Sequence, residues 1–267
     1  MTEDEILAGL QPLRPVMKYS SSIAVGNKPY SSWALGGIPA AGVYDTTLNG
    51  VVCDNTTVGA VDFQDPGSGV SRLTTWRGAL TPAYAMYMLC DRLWHNGGIT
   101  VTSTSSQSIS SPTWPARDKN GSTNGAGVFL ALEMSATVGN GNPTVTVTFT
   151  NSDGTASQTT NSNSTPALNN APTGTFVILQ HPAGCPGVRS VQSIQLSASL
   201  GSGTINLVAF RPLAMLQIPT SNGSNTMDAI TAGMPTLFNG ACLFFLANYY
   251  SGNSGSSMFN TLQWTRV

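Results

Sequence analysis

The sequence predicts an all-β protein: an antiparallel β-sandwich or jelly roll, with a long N-terminal extended arm and a short N-terminal helix. Three observations carry that prediction. From Ala83 onward, roughly eight or nine apolar runs recur at regular spacing, parted by turns of Gly, Asn, Asp and Ser. No helical crossovers alternate with these runs, which excludes an α/β fold. The third is the stretch from Val188 to Leu216, around which the rest is organised. There Ile194, Leu196, Ala198 and Leu200 alternate with Gln195, Ser197 and Ser199, so one face of a strand is apolar. Gly201, Ser202 and Gly203 tolerate positive φ and predict a tight hairpin. Ile205 and Leu207 resume the alternation, while Val208 and Phe210 load the other face, so the second strand is wanted in a core on both sides.

Taken in order, Thr2 and Glu5 form a capping box ahead of Ile6, Leu7 and Leu10, predicting a two-turn helix that Pro12 and Pro15 end. Its apolar side is too small to stand alone and must dock on something, another subunit being one candidate. From Leu13 to Trp76 the pattern is irregular. Prolines at 15, 29, 39 and 66 punctuate it, Gly36-Gly37 and Gly67-Ser68-Gly69 break it, and Tyr19, Tyr30, Trp33 and Tyr44 occur singly. Short strand-like pieces at Ser22–Val25, Gly50–Cys53 and Val58–Phe63 could join sheet edges. So long a stretch without a strong element reads as an extended arm, reaching up to roughly 3.3 Å per residue. A meander wrapping its own sandwich is the competing reading.

Ala83–Trp94 reads as a strand, followed by an Asn96-Gly97-Gly98 turn and a resumption at Ile99–Thr104. Val128–Ala136 is apolar almost throughout, as in a central strand, and Val145, Val147 and Phe149 give the clearest one-faced strand. A polar loop at Ser157–Asn170 leads to a short strand at Phe176–Leu179. Beyond Pro219 come a polar linker at Thr220–Thr226, an irregular stretch at Met227–Leu237, and a dense strand at Leu243–Tyr250. A Gly-Ser loop then precedes a final strand, Met258–Val267, whose Trp264-Thr265-Arg266-Val267 end reads as pinned in structure. The expected organisation is helix and arm over residues 1–80, sandwich core over 81–219, and a segment over 220–267 adding strands to that sandwich.

Composition narrows the function. Of 267 residues only 9% are charged and the net charge is −1, so Gly, Ser, Thr and Asn cover the surface where Lys and Glu usually would. A polar, nearly neutral surface suits a protein packed among neighbours. The 11 Lys and Arg are scattered, with no basic stripe to meet phosphates, so nucleic acid is not an expected partner. The 40% of hydrophobic residues fall in patterned runs, which argues against disorder. Met1 is followed by Thr2-Glu3-Asp4-Glu5, the opposite of a basic signal-peptide start, and no apolar run reaches membrane-spanning length. Cys53, Cys90, Cys185 and Cys242 lie far apart with no CxxC pair and read as reduced.

No constellation announces chemistry. Asp91 and His95 are four apart, adjacent on a helix but about 13 Å apart on a strand. With His181 in a turn, the two histidines cannot make an ordinary zinc site. Gly125-Ala126-Gly127 has neither the preceding strand nor the following helix of a nucleotide loop. Asp54, Asp62 and Asp65 could hold calcium with backbone carbonyls but read better as solvated loop carboxylates. Trp33, Trp76, Trp114 and the Tyr249-Tyr250 pair could form a sugar-stacking platform. The expectation is no catalytic residue, no cofactor and no metal.

The runs Leu89–Asn96 (LCDRLWHN), Ser111–Asp118 (SPTWPARD), Gly121–Gly125 (GSTNG) and Val188–Ser199 (VRSVQSIQLSAS) resemble virion structural proteins of tailed bacteriophages, over roughly residues 40–215. The resemblance implies a virion component assembled in the bacterial host cytoplasm, without cofactor, in the shell or tail. A β-sandwich body, a Pro- and aromatic-bearing arm and a low-charge surface favour a capsid decoration or cement protein. Its partners would be the major capsid protein and copies of itself in a homotrimer, without nucleic acid or membrane. The arm residues Ile6, Leu7, Leu10, Tyr19, Tyr30 and Trp33 are the expected inter-subunit contacts, so deleting residues 1–40 should spare the body and abolish particle binding. A tail, collar or baseplate protein is the alternative, as is a tail carbohydrate-binding module using Trp114.

Overall fold

The computed structural model describes residues 2–19, 28–67, 69–81, 85–162, 166–249 and 257–267. The chain is nearly all β, its antiparallel sheets forming sandwich-like arrangements behind a short N-terminal helix, as its alternating patterns require. Helix α1 (Glu3–Ala8) is followed by β1 (Arg14–Tyr19), β2 (Pro29–Ser31), β3 (Gly36–Ile38) and β4 (Val51–Val52). Next come β5 (Ser71–Thr81), β6 (Ala85–His95), β7 (Gln107–Ser108), β8 (Phe129–Ala136), β9 (Val145–Asn151), β10 (Gln158–Thr159) and β11 (Phe176–Ile178). The order closes with β12 (Val188–Leu196), β13 (Thr204–Ile218), β14 (Ser224–Met227), α2 (Ala229–Ala232), β15 (Thr236–Leu237), β16 (Leu243–Tyr249) and β17 (Ser257–Arg266). The Ser22–Val25 piece, Ser68, the Ala83-Tyr84 strand start, Tyr250 and residues 251–256 of the Gly-Ser loop lie outside the described residues.

The chain divides into two compact units: Met1–Gly42, Asp54–Asp91 and Pro212–Val267 form one, Val43–Cys53 and Arg92–Arg211 the other. These are not the three consecutive segments expected from the sequence, because the decisive strand pairings join residues far apart in the chain.

In the first unit one sheet runs β14-β5-β17-β1-β3, with β15 also on β5. Strand β1 pairs with β17 from Arg14↔Leu262 to Tyr19↔Ser257, and β17 pairs on its other side with β5. Residues Ala85–Asp91 of β6 pair with β16, which pairs with β2. Trp76 of the first layer meets Phe245 of the second with ring centroids 5.5 Å apart, and the Tyr87 hydroxyl donates to Ala79 O. Leu73, Leu80, Leu89, Leu243 and Leu262 fill the space between, each fully buried. The stretch read as an arm is therefore part of this sandwich: Val16, Tyr30, Trp33, Leu35, Val61 and Phe63 are all core residues. Its irregular pattern arises because single aromatics plug the interior one at a time, as Phe63 does against Trp264 at 5.2 Å.

Lys18 is buried on the inner side of β1, 1% exposed, with Nζ donating to the carbonyls of Leu35, Pro39 and Ala40. Burial pulls its pKa down to about 8, while the three carbonyls satisfy the ammonium where it lies.

The second unit stacks the sheet β10-β9-β12-β7 against β8, which is flanked by β11 and by β13 through Thr204↔Ala136 to Phe210↔Phe129. Strand β9 alternates without a break, Val145, Val147, Phe149 and Asn151 inward, as its sequence predicts. The expected hairpin at Gly201–Gly203 is absent, because β12 pairs with β9 and β7 whereas β13 pairs with β8. The glycines, at φ +82° and +92°, turn the chain from one layer into the other, and the preceding Leu200 is buried. Residues 205–210 of β13 are buried on both faces, which the doubly apolar pattern required. Ile99–Thr104 is turn and irregular backbone rather than strand, although Ile99 and Val101 still reach the core.

Candidate functional site

The six predicted contact residues separate into three groups. Helix α1 has its capping box, with Glu5 N–H donating to Thr2 Oγ1 and Thr2 N–H to Glu5 Oε2, and it ends at Gly9, ahead of the prolines. It docks on β17 of its own unit: Thr265 Oγ1 donates to Ile6 O, and Arg266 N–H donates to Gly9 O. Ile6 and Leu10 are half-buried there, while Leu7 is 58% exposed. Tyr19, at the end of β1, is 55% exposed. Tyr30 and Trp33 are 2% and 0% exposed, so neither offers a surface to another subunit, which corrects that part of the expectation. Trp33 stands edge-on to Phe244 at 6.4 Å, and Gly42 closes over its indole so tightly that any Cβ would collide with the ring.

Around Tyr19 the first unit's larger sheet presents an outward face with a row that is apolar across four of its strands. The register sets Ile38, Met17, Phe259, Ala79 and Ser224 side by side across β3, β1, β17, β5 and β14. Ile38 is 56% exposed, Met17 and Phe259 are half-buried, and Tyr19 meets Phe259 edge-on at 6.4 Å. Beside the row lies a shallow cleft of about 410 Å³ lined by Pro15, Met17, Arg77, Thr226, Phe259 and Thr261. The row ends at β3, a sheet-edge strand whose three residues are all exposed. Alternation with the inward Val16, Lys18, Met258 and Leu262 fixes which residues face out.

The second unit holds a buried ionic cluster that the sequence reading passed over. Arg92 on β6 and Glu133 on β8 form an ion pair, NH2 to Oε2 at 2.7 Å, with both side chains fully buried. Burial opposes the guanidinium charge, but Glu133, with Cys53 and Tyr44, outweighs it and raises the Arg92 pKa. Arg92 Nε donates to His95 Nδ1 at 2.9 Å, the Cys53 sulfur lies 3.4 Å from the same nitrogen, and the Asp45 amide nitrogen lies 3.3 Å from His95 Nε2. Arg117 NH2 donates to the carbonyls of Cys53 and Arg92. A thiol and an imidazole side by side suggest a nucleophile and its base. Here the imidazole nitrogen nearest the sulfur already accepts from Arg92, and Cys53 is 1% exposed. What the arrangement does is fasten the loop before β4, the end of β6 and β8 together. Asp91 is fully buried and accepts from the Cys242 amide in the first unit.

The remaining sequence candidates have local partners. Asp118 is fully buried, and its carboxylate accepts from the amides of Asn120, Ser122 and Ala126 and from the Ser122 hydroxyl. Burial opposes its charge, yet those bonds hold its pKa below the usual range. The glycine loop at 125–127 therefore spends its Ala126 amide on a carboxylate of the chain itself. Asp54 accepts from Thr56 and Thr57, Asp62 pairs with Arg14 at 3.4 Å, and Asp65 accepts from the Gly240 amide, so the three do not converge. Among the described residues no group of three or more His, Cys, Asp or Glu is placed to hold a metal. Trp33, Trp76 and Trp114 are all buried, Trp114 donating to Val188 O and lying 5.3 Å from Trp94, which removes the tryptophans from the sugar-platform reading. Tyr250 lies outside the described residues. His181 stacks on Phe129 at 5.4 Å, and burial lowers its pKa to about 4.

No family model and no curated protein matches the chain. Among solved structures it is similar to the VP2 subviral particle of infectious bursal disease virus, at 9% identity and a TM-score of 0.20, over 97% of this chain and 82% of that one. T=1 particles derived from the same virus match at 11% identity and a TM-score of 0.16, over 97% and 79%. The Gt strain of that virus matches at 12% identity and a TM-score of 0.16, over 97% and 82%. Superpositions this loose are far below those of chains sharing a fold, and they inform neither the fold nor the site.

Proposed function

We propose that this chain is a non-enzymatic structural component of a phage particle, a capsid decoration protein that binds the shell and copies of itself through the outward sheet face of its first unit. The observation that carries the reading is the exposed row of Ile38, Met17 and Phe259 with Tyr19 beside it. Apolar side chains aligned across a sheet leave water when a second surface covers them, at about 25 cal/mol per Å² buried. The nearly uncharged surface supports the same reading, since close neighbours then meet little electrostatic repulsion. The sealed Cys53–His95 pair supports a role without catalysis. The virion location, the homotrimer and the major capsid protein as partner belong to this proposal.

The test is co-sedimentation with phage heads lacking the protein. Deleting residues 1–40 no longer serves, because it would remove β1 from the middle of a sheet and Trp33 from the core. The variant to use is Tyr19→Ser with Phe259→Ser, two outward positions. Saturable binding by the wild type and its loss in the double variant support the proposal. Heads that take up both proteins equally, or neither, refute it.

A further inference from the structure

The cleft beside the apolar row of the first unit holds a single charge, that of Arg77. On β5 this residue lies between the buried Trp76 and Gly78, so it points outward and is exposed. It stands opposite Thr226 on β14 and Thr261 on β17, and it makes no hydrogen bond or ion pair among the described residues. Met17 and Phe259 line the same cleft, and no carboxylate does. An unpaired guanidinium beside a thioether and a phenyl ring fits a partner that brings a carboxylate and an apolar side chain together.

The chain itself carries such a surface. In helix α1, Glu3 and Asp4 precede Leu7 by four and three positions, so the three share one side of the helix. Leu7 is 58% exposed, and Glu3 and Asp4 are exposed with no partner among the described residues. Glu5 is spent on the capping box, and the last turn has no basic residue. Every other Asp and Glu of the chain stands singly in the sequence. A copy cannot fill its own cleft in this way. Its α1 is tied to Thr265 and Arg266 at the far end of β17. Thr261 and Phe259 lie four to six residues back along that strand, about 13–20 Å at roughly 3.3 Å per residue.

We propose that the cleft receives helix α1 of a second copy, with Leu7 entering between Met17 and Phe259 and with Glu3 and Asp4 facing Arg77. This contact rests on the reading of the outward face as a surface for copies of the chain, and it supplies the segment that binds there. Helix and cleft are different surfaces, so the contact is head-to-tail: each copy gives one and receives one. Repetition builds a ring when the rotation closes, three copies giving the homotrimer.

The experiment is analytical ultracentrifugation of the full chain alone, without heads, at low and high salt. Arg77→Glu sets a like charge against the acids of the helix, and Leu7→Ser removes the apolar anchor while keeping the capping box. Both positions are exposed, and thermal melts confirm that both variants fold. The wild type is expected to self-associate, less so at high salt. Each variant should associate about tenfold more weakly or worse. Mixed in equal amounts, the two variants should form a dimer and nothing larger. The intact helix of the Arg77→Glu chain then meets the intact cleft of the Leu7→Ser chain, and neither can extend further. A wild type that stays monomeric at millimolar concentration overturns the inference. So does association unchanged in either variant, or a mixture no stronger than its components. Association that survives both variants but is lost in Tyr19→Ser/Phe259→Ser overturns the helix as occupant and leaves the outward face standing.

Discussion

Replacing Glu133 by Gln tests the buried cluster most directly. The substitution keeps size and shape and removes only the charge that faces Arg92 NH2 at 2.7 Å. Both side chains are fully buried, so water cannot take over the abandoned guanidinium. Two unit charges about 4 Å apart interact by about 4 kcal/mol at an effective dielectric of about 20. Breaking such a pair from one side costs about 3–5 kcal/mol. At about 2–4 °C per kcal/mol for a chain of this size, the midpoint should fall by about 6–20 °C. The assay is thermal unfolding by near-ultraviolet circular dichroism and calorimetry, on Glu133→Gln, Arg92→Met and the double variant Arg92→Met/Glu133→Leu. The double variant should recover most of the loss, because no unpaired charge remains in the core, although His95 Nδ1 loses its donor. The pair would then serve to fix one arrangement of β6 and β8 more than to add net stability. A loss under about 1 kcal/mol in Glu133→Gln, or a double variant as unstable as the single ones, refutes this account.

Three further outcomes are expected. His181 is neutral when buried, so between pH 6.5 and about 4 the unfolded chain binds a proton that the folded chain does not. Stability should therefore fall as pH drops through that window, by about 1–3 kcal/mol after allowing for partial exposure, and His181→Phe should flatten the midpoint-against-pH curve. Lys18 behaves likewise at higher pH: with its folded pKa near 8 against 10.5 unfolded, stability should rise between those values by up to about 3 kcal/mol, a rise that urea titrations on Lys18→Met should not show. Gly97→Ala should lower the melting midpoint by more than an ordinary glycine replacement, because a Cβ there would strike Asp45 O and displace the loop before β4; an unchanged midpoint would refute that close approach.

Much of the fold was legible because alternation is a local signal. Val145, Val147 and Phe149 could face only one way, and AYAMYMLC followed by a glycine turn could be placed in a strand without knowing its partner. Partners are what the sequence withheld. Gly201-Ser202-Gly203 carries the chemistry of a hairpin turn, but the same positive φ values serve a crossing between layers, and only long-range pairing separates the two. Single aromatics at Tyr30 and Trp33 look identical whether they project from an arm or plug a core. The ionic cluster did leave a trace: Arg92, beside Asp91, and Glu133 interrupt apolar runs, where a charge is rarely buried unless paired.

The position of β17 has a consequence for how the first unit comes to exist. Sandwiched between β5 and β1, it completes the hydrogen bonding of both, yet it leaves the ribosome after every other strand of that sheet. Until it emerges, two strands made long before must wait with open edges beside exposed Leu80 and Trp76, a state prone to pair with whatever strand is nearest. With so many contacts spanning most of the chain, closure should be slow, and the newborn protein should depend more on its surroundings than the finished one does.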